Sequence, residues 1–168
     1  VTLRETRQKN HPAVLVAMGI PAVTLNYIVE GGAGDDLIDA GYAGDPQGDM
    51  IDAQDNLGAN NDDVVTAGAG NDSVYSGAGD DSVLGEAGND YIYAGTGNDT
   101  VSGGDGADYA EGGFGDDDLS GDLGSDTLYG GFGDDTVTGG LDNDWLDGGD
   151  DNDAVYGGAG NDTLTGGV

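Results

Sequence analysis

A nine-residue period constrains this chain more than any other feature. From Gly58 to Thr165 the sequence divides without a gap into twelve units: GANNDDVVT, AGAGNDSVY, SGAGDDSVL, GEAGNDYIY, AGTGNDTVS, GGDGADYAE, GGFGDDDLS, GDLGSDTLY, GGFGDDTVT, GGLDNDWLD, GGDDNDAVY and GGAGNDTLT. An earlier unit, GGAGDDLID at 31–39, stands in the same frame. Unit position six is Asp throughout. A fixed short period specifies a stack of like units, each buried by its neighbours, rather than one globular core.

The two halves of a unit have different physics. Positions one to six are mostly Gly, Ala, Asn and Asp, which accept tight turns and positive φ. Positions seven to nine read polar–apolar–polar, a three-residue strand with one side chain inward and two outward. The inward set at position eight is Ile38, Val65, Val74, Val83, Ile92, Val101, Ala110, Leu119, Leu128, Val137, Leu146, Val155 and Leu164, of which only Ala110 is small. One strand and one turn reverse the chain, so two units complete a coil. Residues i and i+18 then become vertical neighbours about 4.8 Å apart, and alternate units build two opposed parallel sheets. The expected fold is all-β, a right-handed parallel β-roll of about seven coils with 18 residues in each.

This register turns the acid of the chain into two columns. Asp72, Asp90, Asp108, Asp126, Asp144 and Asp162 stack in one turn column; Asp63, Asp81, Asp99, Asp117, Asp135 and Asp153 stack in the other. The chain carries 34 acidic and 3 basic residues, a formal charge of -31. Arg4, Arg7 and Lys9 are the basic ones, and no Lys or Arg follows Gly31. Carboxylates stacked at strand spacing repel unless a cation lies between them. Turn carbonyls without strand partners also need donors or a metal. Oxygen-only ligands in a flexible frame suit a larger hard cation, and calcium fits. Magnesium prefers to keep its waters, and zinc prefers His or Cys. The chain has one His, His11, and no Cys.

The units resemble the RTX nonapeptide, G-G-x-G-x-D-x-U-x, whose family folds as a calcium-bound parallel β-roll. GGAGNDTLT at 157–165 and GGFGDDTVT at 130–138 agree at every specified position. In that family calcium lies between turns one coil apart, held by position-six carboxylates and turn carbonyls. Carried over, the resemblance implicates Asp36, Asp63, Asp72, Asp81, Asp90, Asp99, Asp108, Asp117, Asp126, Asp135, Asp144, Asp153 and Asp162. It also implicates turn carbonyls at position four, those of Gly70, Gly79, Gly88, Gly97, Gly106, Gly115, Gly124, Gly133 and Gly160. Twelve gapless units imply about ten calcium ions. Departures from glycine fall at position four, with Asn61, Asp142 and Asp151, and at position two, with Ala59, Glu86 and Asp122. There a positive φ costs more, and Asp142 and Asp151 could add carboxylate ligands. The resemblance further implies a bacterial protein, secreted through a type I channel, that folds outside the cell. The module would be the non-catalytic part of a larger extracellular protein: a secreted enzyme such as a protease, lipase, epimerase or self-processing protein, or an adhesin or surface-layer protein.

Other functions find little support. A nucleic-acid partner or an anionic membrane surface would need the Lys and Arg that are missing. The longest apolar run, Ala13–Ile20, is about half of the roughly 20 residues needed to span a bilayer. With the basic residues before it, that run faintly resembles a signal peptide. A short cap or linker at 1–25 is the better reading. Ser and Thr lie on strands without a partner base, so no nucleophilic triad can be assembled. The DNDWLDGGDDND stretch lacks the terminal Glu of an EF-hand loop, and no Lys follows the glycine runs to make a phosphate loop.

The roll is expected over 26–168, with a first strand at Asn26–Val29. Residues 40–57 fit the frame poorly, and a shifted strand at Asp49–Ile51 between two loops accounts for them best. The end, Gly166-Gly167-Val168, begins a further unit, as expected of a piece of a longer protein. Outward positions of one sheet carry Tyr75, Tyr91, Tyr93, Tyr109, Tyr129 and Trp145, while the other offers Tyr156 and Leu84. The i+18 rule stacks Tyr75 on Tyr93, Tyr91 on Tyr109 and Phe114 on Phe132. This row reads first as a stabilising ladder and second as a docking face for another domain or a glycan.

Overall fold

The computed structural model describes residues 28–30, 34, 37–38 and 62–167. All its elements are strands: β1 (Ile28–Glu30), β2 (Leu37–Ile38), β3 (Val64–Ala69), β4 (Ser73–Ala78), β5 (Ser82–Ala87), β6 (Tyr91–Thr96), β7 (Thr100–Asp105), β8 (Tyr109–Phe114), β9 (Asp118–Leu123), β10 (Thr127–Phe132), β11 (Thr136–Leu141), β12 (Trp145–Asp150), β13 (Ala154–Ala159) and β14 (Thr163–Thr165). Odd-numbered strands form one seven-stranded sheet in sequence order and even-numbered strands form the other. Every pairing is parallel, and from β3 onward it joins residues 18 apart, as in Val83↔Val101 and Leu128↔Leu146. The molecule is the expected parallel β-solenoid, with two units to a coil.

Each full strand from β3 to β13 is six residues long, twice the expected length. It takes positions seven to nine of one unit and one to three of the next, leaving only positions four to six for the turn. The in–out alternation simply continues: position eight is buried, nine faces out, one is buried and three faces out. Poor strand formers occupy positions one and two, yet the parallel ladder resumes at position two, with Gly77 paired to Gly95 and Ala78 to Thr96. Stacking on identical neighbours overrides local propensity. The register skips position one, where the ladder is locally interrupted.

The core is a single file of inward side chains. Ile38, Val65, Val74, Val83, Ile92, Val101, Ala110, Leu119, Leu128, Val137 and Leu146 are almost wholly buried, joined by Ala67 and Ala94 from position one. Val155 is only partly buried and Leu164 is exposed. They belong to the last strands of the two sheets, where no further described coil covers them. Burying each Val, Leu or Ile contributes about 1.5–3 kcal/mol, so this thin core leaves the turns a large part in stability.

At the first described coil the pairing interval doubles. Val29 pairs with Val65 and Ile38 with Val74, two coil lengths apart in sequence but adjacent in space. Among the described strands, β1 is the direct neighbour of β3 in one sheet and β2 that of β4 in the other. The shifted strand expected at 49–51 falls outside the described residues, as does the segment 1–25. The first described strand is β1, which ends one residue later than expected.

Along the outer face of the even-numbered sheet the rings form a continuous row. Tyr91 and Tyr109 stack at 4.9 Å with planes 5° apart, and Phe114 and Phe132 at 4.8 Å and 7°. Tyr129 joins Tyr109 at 5.4 Å and meets Trp145 edge-on at 4.9 Å. Tyr75 is the backbone partner of Tyr93, as the register requires, but its ring packs on Tyr91 at 5.9 Å. Adjacent position-seven and position-nine side chains lean together across the diagonal.

Candidate metal centre

The position-six Asp side chains turn inward at both edges of the roll. Asp63, Asp72, Asp81, Asp90, Asp99, Asp108, Asp117, Asp126, Asp135 and Asp144 are all buried, with at most 4 % of their surface exposed. In each coil Oδ1 accepts the main-chain N–H of the Asp one coil earlier. Asp99 donates to Asp117 Oδ1 at 2.8 Å and Asp108 to Asp126 Oδ1 at 2.9 Å, and the series runs on to Asp144 and Asp162. The side chain thereby closes its own turn onto the preceding one.

The second oxygen is left over. Oδ2 of Asp90, Asp99, Asp108, Asp117, Asp126, Asp135, Asp144 and Asp153 is buried and accepts no hydrogen bond. A buried, unpartnered anionic oxygen costs several kcal/mol unless it is protonated or meets a cation. Burial accordingly pushes these carboxyls up. Asp99, Asp108 and Asp135 rise to about 6, and Asp117 and Asp126 to about 7. Loss of hydration is the main cause, the hydrogen bond from the preceding Asp opposes it, and neighbouring carboxylates add to it. Asp90 and Asp144 move the same way for the same main reason.

Glycine at position one makes room beside these oxygens. A β-carbon at Gly85, Gly112, Gly121, Gly130 or Gly139 would lie under 3.0 Å both from Oδ2 of the Asp five residues on and from the carbonyl oxygen of the residue 18 further on. A carboxylate oxygen and a main-chain carbonyl thus flank one small volume that glycine leaves open. At position four, the Cα of Gly88, Gly97, Gly106 and Gly115 faces the position-four carbonyl of the coil before. Glu86, Asp122, Asp142 and Asp151 hold φ between 70° and 86°, so the left-handed turn survives where glycine is replaced.

Sequence reasoning placed the Asp columns as they stand and put the position-four glycines in the same turns. It missed the position-one carbonyls, which flank the same small volume as Oδ2. The signal was present, since position one is only ever Gly, Ala or Ser. Asn61, Ala59 and Asp36 lie outside the described residues. Among the described residues no three His, Cys, Asp or Glu side chains converge to hold a metal ion. A cation here would draw on one or two carboxylates and complete its shell with main-chain carbonyls, a donor set suited to calcium.

The profile of the RTX calcium-binding nonapeptide repeat, in four copies, matches residues 28–45, 57–92, 85–119, 93–128, 111–146 and 129–164. These spans cover well over half of the chain. The chain belongs to the RTX calcium-binding repeat family. No curated protein and no solved structure matches it. The RTX repeats make it a calcium-binding β-roll module, and the repeat family is a non-catalytic one. Such repeats occur in secreted bacterial proteins. Among the described residues no helix is long and apolar enough to cross a membrane.

Proposed function

We propose that this roll is a folding switch: it remains open at the low calcium of the cytosol and closes when calcium is supplied outside the cell. The observation that carries this reading is the column of buried Oδ2 atoms without hydrogen-bond partners. Asp81, Asp90, Asp99, Asp108, Asp117, Asp126, Asp135, Asp144 and Asp153 would supply these oxygens as ligands. Asp36, Asp63, Asp72 and Asp162 complete the proposed set by register. Carbonyls at positions one and four would fill the remaining coordination places. Calcium, when bound, supplies the positive charge that the chain lacks. About ten ions would bring roughly +20 against -31. With free calcium at ten times each dissociation constant, linkage contributes about 1.4 kcal/mol per site, and ten sites reach the scale of a domain's whole stability.

Secretion in the unfolded state through a type I channel follows from the same switch, because a chain of this charge without calcium does not collapse in transit. The roll then serves as the non-catalytic part of a larger extracellular protein. The aromatic row is best read as a stabilising ladder. The near-parallel faces of Tyr91 and Tyr109 cover each other, which leaves ring edges rather than open faces for a glycan. Counting bound calcium per folded chain by equilibrium dialysis tests the reading. About ten ions are expected, and one or two would refute it.

A further inference from the structure

Position one is glycine beside most of the inward carboxylates, but not beside all. In one turn column the sequence runs Ser76, Ala94, Gly112, Gly130, Gly148, next to Asp81, Asp99, Asp117, Asp135 and Asp153. Ser76 and Ala94 are vertical neighbours, and both are buried. The Ser76 hydroxyl donates to the Ala94 carbonyl at 2.9 Å. That carbonyl is the counterpart of those that flank the open volume in other coils, such as the Gly130 oxygen beside Gly112. Side chains thus start from these two positions where other coils have glycine, and Ser76 both engages a lone pair of the Ala94 carbonyl and lies within hydrogen-bonding reach of the Asp81 carboxyl. On the opposite edge Ala67 makes the same replacement beside Asp72, while Gly85 and Gly103, level with Ser76 and Ala94, leave that space free beside Asp90 and Asp108 and give the comparison.

We propose that Ser76 and Ala94 create a low-affinity pair of calcium sites, at Asp81 and Asp99, on one edge of the roll. The inference rests on the proposed role of the position-six carboxylates as ligands. Calcium affinity follows the number and freedom of oxygen ligands, so the Asp99 site, crowded by Ala94, and the Asp81 site, crowded by Ser76 and with its Ala94 carbonyl committed, bind about tenfold more weakly. The contrast lies within single coils, between opposite edges, so distance from the end of the roll does not produce it. The consequence is graded loading: glycine-lined sites fill first and close the roll, and this pair fills after them.

Residue-resolved NMR of the full chain during calcium titration tests the proposal. The Asp63 and Asp81 amides donate to Oδ1 of Asp81 and Asp99, and so report on the proposed weak pair. The Asp90 and Asp99 amides donate to Asp108 and Asp117, and report on glycine-lined sites. The first two should complete their shifts at about tenfold higher calcium than the second two. Ser76→Gly with Ala94→Gly should bring all four together. Gly112→Ala with Gly130→Ala should move the Asp99 amide into the late class; if that variant does not fold, the glycine variant decides alone. Shifts of Asp63 and Asp81 that finish with or before the others, or that stay late in the glycine variant, overturn the proposal. Calcium that moves no amide at all would instead contradict the proposed function.

Discussion

Asp117→Asn keeps the shape of a buried side chain and removes its charge. Its Oδ1 can still accept the Asp99 amide, so the turn stays closed. An amide nitrogen replaces the unpartnered Oδ2. With calcium at ten times the dissociation constant, the loss of one ion removes about 1.4 kcal/mol, and twice that if the carboxylate serves the coils on both sides. For a domain of this size that lowers the melting temperature by about 4–10 °C. In chelator the sign reverses. Burial pushes the wild-type carboxyl up to about 7, so at pH 8 an unfavourable charge sits in the turn. Its removal is worth about 1–2 kcal/mol once solvent screening is allowed for. Thermal melts followed by circular dichroism in calcium give the first arm. For the second, an osmolyte such as TMAO drives folding in chelator, and the variant should need less of it. A change of the same sign in both conditions would refute the idea that Oδ2 is a cation ligand and otherwise a liability.

The remaining predictions concern the core, the turns and pH. Leu128→Ala, at a wholly buried position between Ala110 and Leu146, should cost about 2–5 kcal/mol in urea melts of the calcium-loaded roll. Glu86→Gly should stabilise by up to about 1 kcal/mol in the same melts, since Glu86 holds φ 75° at an exposed position of β5 where most units have glycine. In chelator the inward carboxyls have folded pKa values of about 6–7, above the ordinary value of 3.8. The folded state then binds more protons than the unfolded state. Their contribution is present in full below about pH 4 and is lost as pH rises through 6–7. Calcium-free chain should therefore gain strand signal by circular dichroism on acidification and lose it on return to pH 8.

The inward side chains and the Asp columns were legible because each depends only on the period. Val83 over Val101, or Asp99 under Asp117, follows from counting 18 residues. Strand length was hidden because glycine at positions one and two is a poor strand former alone, and only the neighbouring coils make position two pair. The direct pairing of Ile38 with Val74 could not be read either, because the residues between them lack the register that would say whether they add a coil. The ring partner of Tyr75 depends on rotamers, which the period does not set. At the metal centre, the sequence marks Asp as inward but not which oxygen it spends on the chain. That division, Oδ1 to the preceding turn and Oδ2 left over, emerges only in three dimensions.

Whether calcium completes this fold is decided by far-UV circular dichroism of the full chain at pH 8. Strand signal should be absent in chelator, should rise cooperatively as free calcium passes through about 10⁻⁴–10⁻³ M, and should vanish again when chelator is returned. The same strand signal in chelator as in saturating calcium would show that the roll closes without its cation, and the role given to the buried carboxylates would fall with it.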